Sequence, residues 1–175
     1  MPFKKGKTEG RLLARADGSS CFTGHVREFV MQPFYQGKID NFCAVYAVLN
    51  ALQVLFSLTP HEARRIFNRV LMAQAARPEE FRNILEHKTD YVSLVDFMLE
   101  DVRRHEFPDL RVSVPFGRDA SCDQVWEALR SSARPPMPLV SVFRFLRMAP
   151  PSEKPYVDHW TVGHYMDMEG LHFLD

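Results

Sequence analysis

Residues 42–56 form the longest strongly apolar run of the chain, broken only by Asn50 and Gln53. The run contains no Gly or Pro, is rich in Ala and Leu, and exceeds the length of one typical strand. It predicts a helix. Because it is apolar nearly all round, that helix has to be central and buried. The rest of the chain must therefore wrap it. At 15 residues the run is too short to cross a bilayer, which argues against membrane insertion. The loop before it, 35–41, is polar, and Asp40 and Asn41 are good N-cap residues.

Three further helices follow from apolar spacing near 3.6. Pro60 starts one over about 60–76, with His61 and Glu62 in its first turn and Ile66, Val70 and Leu71 on its apolar face. Pro78 starts a third, where Phe81, Ile84 and Leu85 keep helical period. Tyr91, Leu94, Phe97 and Met98 mark a fourth, ending near His105. After Pro108 the period drops to two, and 110–114 reads as a strand. A short helix over 123–132 carries Val125, Trp126 and Leu129. Strands follow over 139–143, 159–166 and 171–174, with a proline-rich loop around Pro150 and a hairpin turn at 168–170.

The segment 23–34 is ambiguous between strand and turn. Residues 1–20 are basic and glycine-containing, with Leu12 and Leu13 as the one sizeable apolar pair, and read as a flexible basic arm. The expected architecture is α+β within one domain, 21–175. A helical lobe over about 36–106 packs its central helix on an antiparallel sheet lobe over about 108–175.

Composition narrows the function. The chain has 175 residues, 46% hydrophobic and 25% charged, which excludes wholesale disorder and suits a single domain. Lys plus Arg is 22 and Asp plus Glu is 22. Capture of nucleic acid is therefore not a whole-chain property, and no nucleic-acid partner is expected. Cys21, Cys43 and Cys122 are odd in number and lack CxxC spacing. That argues against a disulfide framework or a cysteine-rich zinc site and suits a reducing compartment. Lys4, Lys5 and Lys7 precede a polar stretch rather than the apolar core of a secretory signal. The expectation is a cytoplasmic protein, or one exported by a dedicated system without a cleavable signal. The oligomeric state is not legible in the sequence.

Two places carry chemistry. Cys43 falls in the first turn of the buried helix, where backbone N–H groups lack internal partners and the dipole is positive. A thiolate there is stabilised. Its own N–H can donate to a developing oxyanion, and Gln36, seven residues upstream, offers a second donor. The plain alternative is a small buried hydrophobe. At the other end of the chain His159 opens a strand, and Asp175 returns beside it 16 residues later. An aspartate so placed can hold an imidazole in one tautomer; the plain alternative is an incidental histidine at a strand mouth. His164 lies five residues from His159, so a regular strand puts it on the other face. That weakens a metal pair, and neither a metal nor a cofactor is expected. Tyr35, Phe42 and Trp160 flank these residues and are candidates for lining a substrate cleft, or for plain core.

Gln36, the helix-opening Cys43, the His-aromatic-x-Val strand at His159 and the later Asp175 occur in an order that resembles the papain-like cysteine peptidases. The nearer likeness is to their compact bacterial branch, the C39-like leader peptidases. The resemblance covers roughly residues 32–175. It implies a papain-like fold with Cys43 as nucleophile, His159 as general base and then acid, Asp175 as its orienting partner and Gln36 as oxyanion donor. It implies a hydrolase that cleaves a peptide or amide bond of a peptide or protein substrate. A toxin-like amidase, a deamidase, a transglutaminase-like acyltransferase or a non-catalytic module would use the same frame. The chain departs from many relatives directly after the cysteine, where it has Ala44 and Val45.

Overall fold

In the computed structural model the described residues carry ten elements. Residues 9–16, 32–35, 41–115, 120–132, 140–148, 155–166 and 170–174 are described. In order they are β1 (Glu9–Arg15), α1 (Cys43–Phe56), α2 (Pro60–Ala75), α3 (Pro78–Leu85), α4 (Tyr91–His105), β2 (Leu110–Ser113), α5 (Cys122–Ser132), β3 (Val140–Met148), β4 (Pro155–Met166) and β5 (Leu171–Leu174). The strands form one sheet in the order β2-β1-β3-β4-β5, antiparallel throughout. The class is α+β.

The apolar run forms α1 as its composition requires. Eleven of its side chains are buried, from Cys43 to Leu55, on all sides of the helix. It packs on β3 and β4 on one side and on α4 on the other. Its C-terminus closes on Ser57 in the left-handed region, whose N–H donates to the Gln53 carbonyl at 2.9 Å. The start of α2 is a capping box. The Thr59 hydroxyl accepts from the Glu62 N–H, and the Glu62 carboxylate accepts from the Thr59 N–H. Asp90 caps α4 by accepting from the Val92 N–H, and Arg103, Arg104 and His105 sit where the dipole favours cations.

The expected flexible arm needs correction. Residues 9–15 form β1, an inner strand of the sheet between β2 and β3. Leu12 and Leu13 are buried. Arg11 is buried too, and its guanidinium grips the Asp96 carboxylate of α4 through Nε and Nη2, both at 2.6 Å. A strand with a charged residue on its core face has no clean period of two, so local pattern misses it. The sheet is thus built from both ends of the chain, and the two-lobe division by sequence halves does not hold. Strands β3 and β4 also run longer than expected. Residues 168 and 169 of the expected hairpin turn, residues 149–154 of the expected proline-rich loop, and residues 17–31 lie outside the described residues.

Register separates the two faces of the sheet. Leu13, Val140, Val142, Trp160, Val162 and Leu174 join the core built on α1. Leu13 lies opposite Val140, Val142 opposite Val162, and Val162 opposite Leu174, so these side chains share the helix-side face. The other face carries Ser141, Phe143, Phe145, His159 and Thr161. Phe143 and Leu12 are buried outside the α1 core, as are Val125 and Leu129 of α5, which packs on β3.

One titration follows from the last hairpin. Burial first, and then the neighbouring His172, hold the His164 imidazole below its ordinary value of 6.5. The folded chain keeps His164 neutral. Its contribution to stability is therefore complete above that ordinary value and is lost as pH falls through the lowered folded value. The urea midpoint of the wild type should drop more between about pH 8 and about pH 5 than that of His164→Gln. Equal drops in the two proteins would remove His164 as a cause.

Candidate functional site

Cys43 is the first residue of α1 and only 5% exposed. The N-cap is Phe42 rather than the expected Asn41, and it makes no side-chain cap bond. The first bond of the helix runs from the Tyr46 N–H to the Phe42 carbonyl at 3.0 Å. The N–H groups of Cys43, Ala44 and Val45 precede that ladder and point out of the helix start. Asn41 is used elsewhere: its side-chain amide donates to the Leu85 carbonyl at 2.6 Å, tying the loop before α1 to the end of α3.

Polar groups from separate elements gather around the Tyr91 hydroxyl. The Tyr91 hydroxyl, at the start of α4, lies 3.0 Å from Nδ1 of His87 and donates to the Asn41 carbonyl at 3.4 Å. His87 sits in the α3–α4 turn with φ of 57°. Burial pushes the Tyr91 phenol up to about 12, and negative charge at Cys43 and Asp158 adds to this while Arg144 opposes it. Cys43, Asp158 and Arg144 are thus each within electrostatic reach of the Tyr91 hydroxyl. The last two form a bidentate pair across β3 and β4, Nε to Oδ1 at 2.7 Å and Nη2 to Oδ2 at 2.6 Å. That fork–fork geometry fixes both side chains and offsets the carboxylate's charge.

Of the residues expected to act, Cys43 opens α1 as expected. Gln36 and Asp175 lie outside the described residues. His159 is on β4, which packs on α1, but the strand does not turn its side chain toward Cys43. His159 lies opposite Phe145 and meets its ring edge-on, centroids 5.6 Å apart, on the face away from the α1 core. Trp160 belongs to the core face, so strand alternation gives the helix side to Asp158 at the mouth of β4 and the far side to His159.

The cleft-lining expectations divide. Trp160 is 1% exposed, a core residue, and its indole N–H has no hydrogen-bond partner among the described residues. Phe42 packs edge-on against Phe67 at the rim of the core. Tyr35 is 70% exposed. Tyr91, His87 and Arg144 went unnoticed in the sequence as polar neighbours of the thiol. Tyr91 reads there only as an apolar helix position, and nothing local signals that its hydroxyl faces the start of another helix. No group of three potential metal ligands occurs among the described residues. Nor is any helix among them long and apolar enough to cross a membrane.

Fold and site together define an α+β protein with a buried thiol at the start of its central helix, and with a tyrosine hydroxyl that bonds the backbone leading into that helix. Comparison with family models, curated proteins and solved structures finds no match.

Proposed function

We propose that the chain is a cysteine hydrolase of papain-like type, most simply a peptidase, that cleaves an amide or peptide bond through a thioester on Cys43. The observation that carries the reading is the place of Cys43. Its thiol opens a buried central helix whose N-cap residue, Phe42, makes no side-chain cap bond. Such a position favours a thiolate and supplies donors to a developing negative charge.

In this reading His159 takes the Cys43 proton and the thiolate attacks the carbonyl carbon. The Cys43 N–H and the Gln36 amide hold the tetrahedral oxyanion. Loss of one such donor typically costs about 100- to 1000-fold in rate. As the C–N bond breaks, His159 protonates the leaving amine. Water then cleaves the thioester to release the acid and the free thiol. Asp175 orients the imidazole. Amidase, deamidase or acyltransferase activity would use the same atoms with a different acceptor. The second reading is a non-catalytic binding module, and the far-face position of His159 favours it.

The test is the alkylation rate of Cys43 by iodoacetamide against pH, in wild type and in His159→Ala, with the labelled site located by mass spectrometry. A rate that persists well below about pH 8 and collapses in the variant supports the hydrolase. A thiol that titrates near its ordinary value of about 8.5 in both proteins supports the binding module. An activated thiol indifferent to His159 keeps the nucleophile and moves the base.

A further inference from the structure

We infer that the Tyr91 hydroxyl is a positioning group for Cys43, acting through the backbone that leads into α1. The inference rests on the reading of Cys43 as a nucleophile. Three contacts make the device. Tyr91 donates to the Asn41 carbonyl at 3.4 Å, two residues before the thiol. Its oxygen also meets Nδ1 of His87 at 3.0 Å. The Asn41 side chain donates to the Leu85 carbonyl at 2.6 Å, so the same stretch of backbone is held twice, from α4 and from the end of α3.

The helix start needs such a clamp because its own cap is missing. Phe42 offers no side-chain acceptor, so the N-cap residue itself makes no side-chain cap bond. An ordinary Ser, Thr or Asp cap would fix the first turn by accepting from the Ala44 or Val45 N–H. Holding the Asn41 carbonyl instead fixes the direction of the chain into Cys43 and leaves those N–H groups open. The tyrosine ring is buried in the α1 core, so its oxygen is aimed by packing. A tyrosine hydroxyl has one proton. When it goes to Asn41, its oxygen accepts from Nδ1–H of His87, and the two bonds polarise in the same sense. Tyr91 touches no reacting atom in this scheme. It sets where the helix N–H groups point.

Tyr91→Phe keeps the ring and removes the hydroxyl. Iodoacetamide alkylation of Cys43 should then titrate about half a pH unit higher than in wild type, about threefold slower at neutral pH, the scale of one helix-terminus interaction. The melting temperature should stay close to wild type. Asn41→Ala cuts the clamp from its other end at a partly exposed site and should shift the profile the same way, which keeps the test open if Tyr91→Phe folds poorly. Tyr91→Leu removes ring and oxygen and should shift the profile no less than Tyr91→Phe. A wild-type thiol that is activated, with unmoved profiles in both Tyr91→Phe and Asn41→Ala, overturns the clamp and leaves the hydrolase reading intact. A wild-type thiol that titrates as an ordinary cysteine overturns both.

Discussion

Trp160→Ala should cost about 3–5 kcal/mol of stability. For a chain of this size that lowers the melting temperature on the order of 10 °C. Trp160 is 1% exposed and belongs to the core that α1 shares with the sheet. Removing the indole leaves a cavity at the contact between β4 and the central helix, where the surroundings are already fixed by Val142, Val162 and α1. Trp160→Phe should cost much less. It keeps most of the apolar contact and removes an indole N–H with no hydrogen-bond partner among the described residues, a group whose burial is itself unfavourable. Thermal melts of the two variants check both numbers. The sequence alone allowed a different outcome. A tryptophan lining a substrate cleft would lose binding on substitution with little change in melting. A Trp160→Ala protein that melts with the wild type would restore that reading.

The largest effect on activity belongs to Cys43→Ala. In an enzyme that works through a covalent thioester, removing the nucleophile costs up to roughly a millionfold in kcat. The expected result is loss of amide hydrolysis on whichever members of a panel of peptides and cell-wall fragments the wild type cleaves. Stability should change little, because alanine is also small and apolar and suits a buried first turn. The contrast between an intact melt and absent turnover separates a chemical role from a packing role. Cys43→Ala protein that still hydrolyses at the wild-type rate would place the chemistry elsewhere.

The helical half was legible because its information is local. The apolar run of α1, Pro60 and Pro78 at helix starts, and Asp90 before Tyr91 all act within a few residues of where they stand. Their bounds emerge almost as the spacing predicts. The site was legible to the extent that Cys43 opens α1. The cap was not. Asn41 is a better cap than Phe42 by residue type, but its amide finds the Leu85 carbonyl, 44 residues away in sequence, and the helix starts without it. The polar surroundings of the thiol were also hidden. Tyr91, Arg144 and Asp158 come from three elements far apart in the chain, and each looks ordinary within its own segment.

By itself the sequence determined the elements with a clear period and the fact that one helix had to be central. That is local stereochemistry and apolar patterning. Tertiary structure decided the rest. It drew residues 9–15 into the middle of the sheet, because Arg11 is tolerated on the core face once Asp96, 85 residues away, accepts its guanidinium. It also decided which face of β4 meets α1. A strand has two faces, and a shift of one residue in pairing exchanges them. The burial of Trp160 and Val162 against the central helix settled that choice, gave Asp158 the helix side, and sent His159 to the side of Phe145.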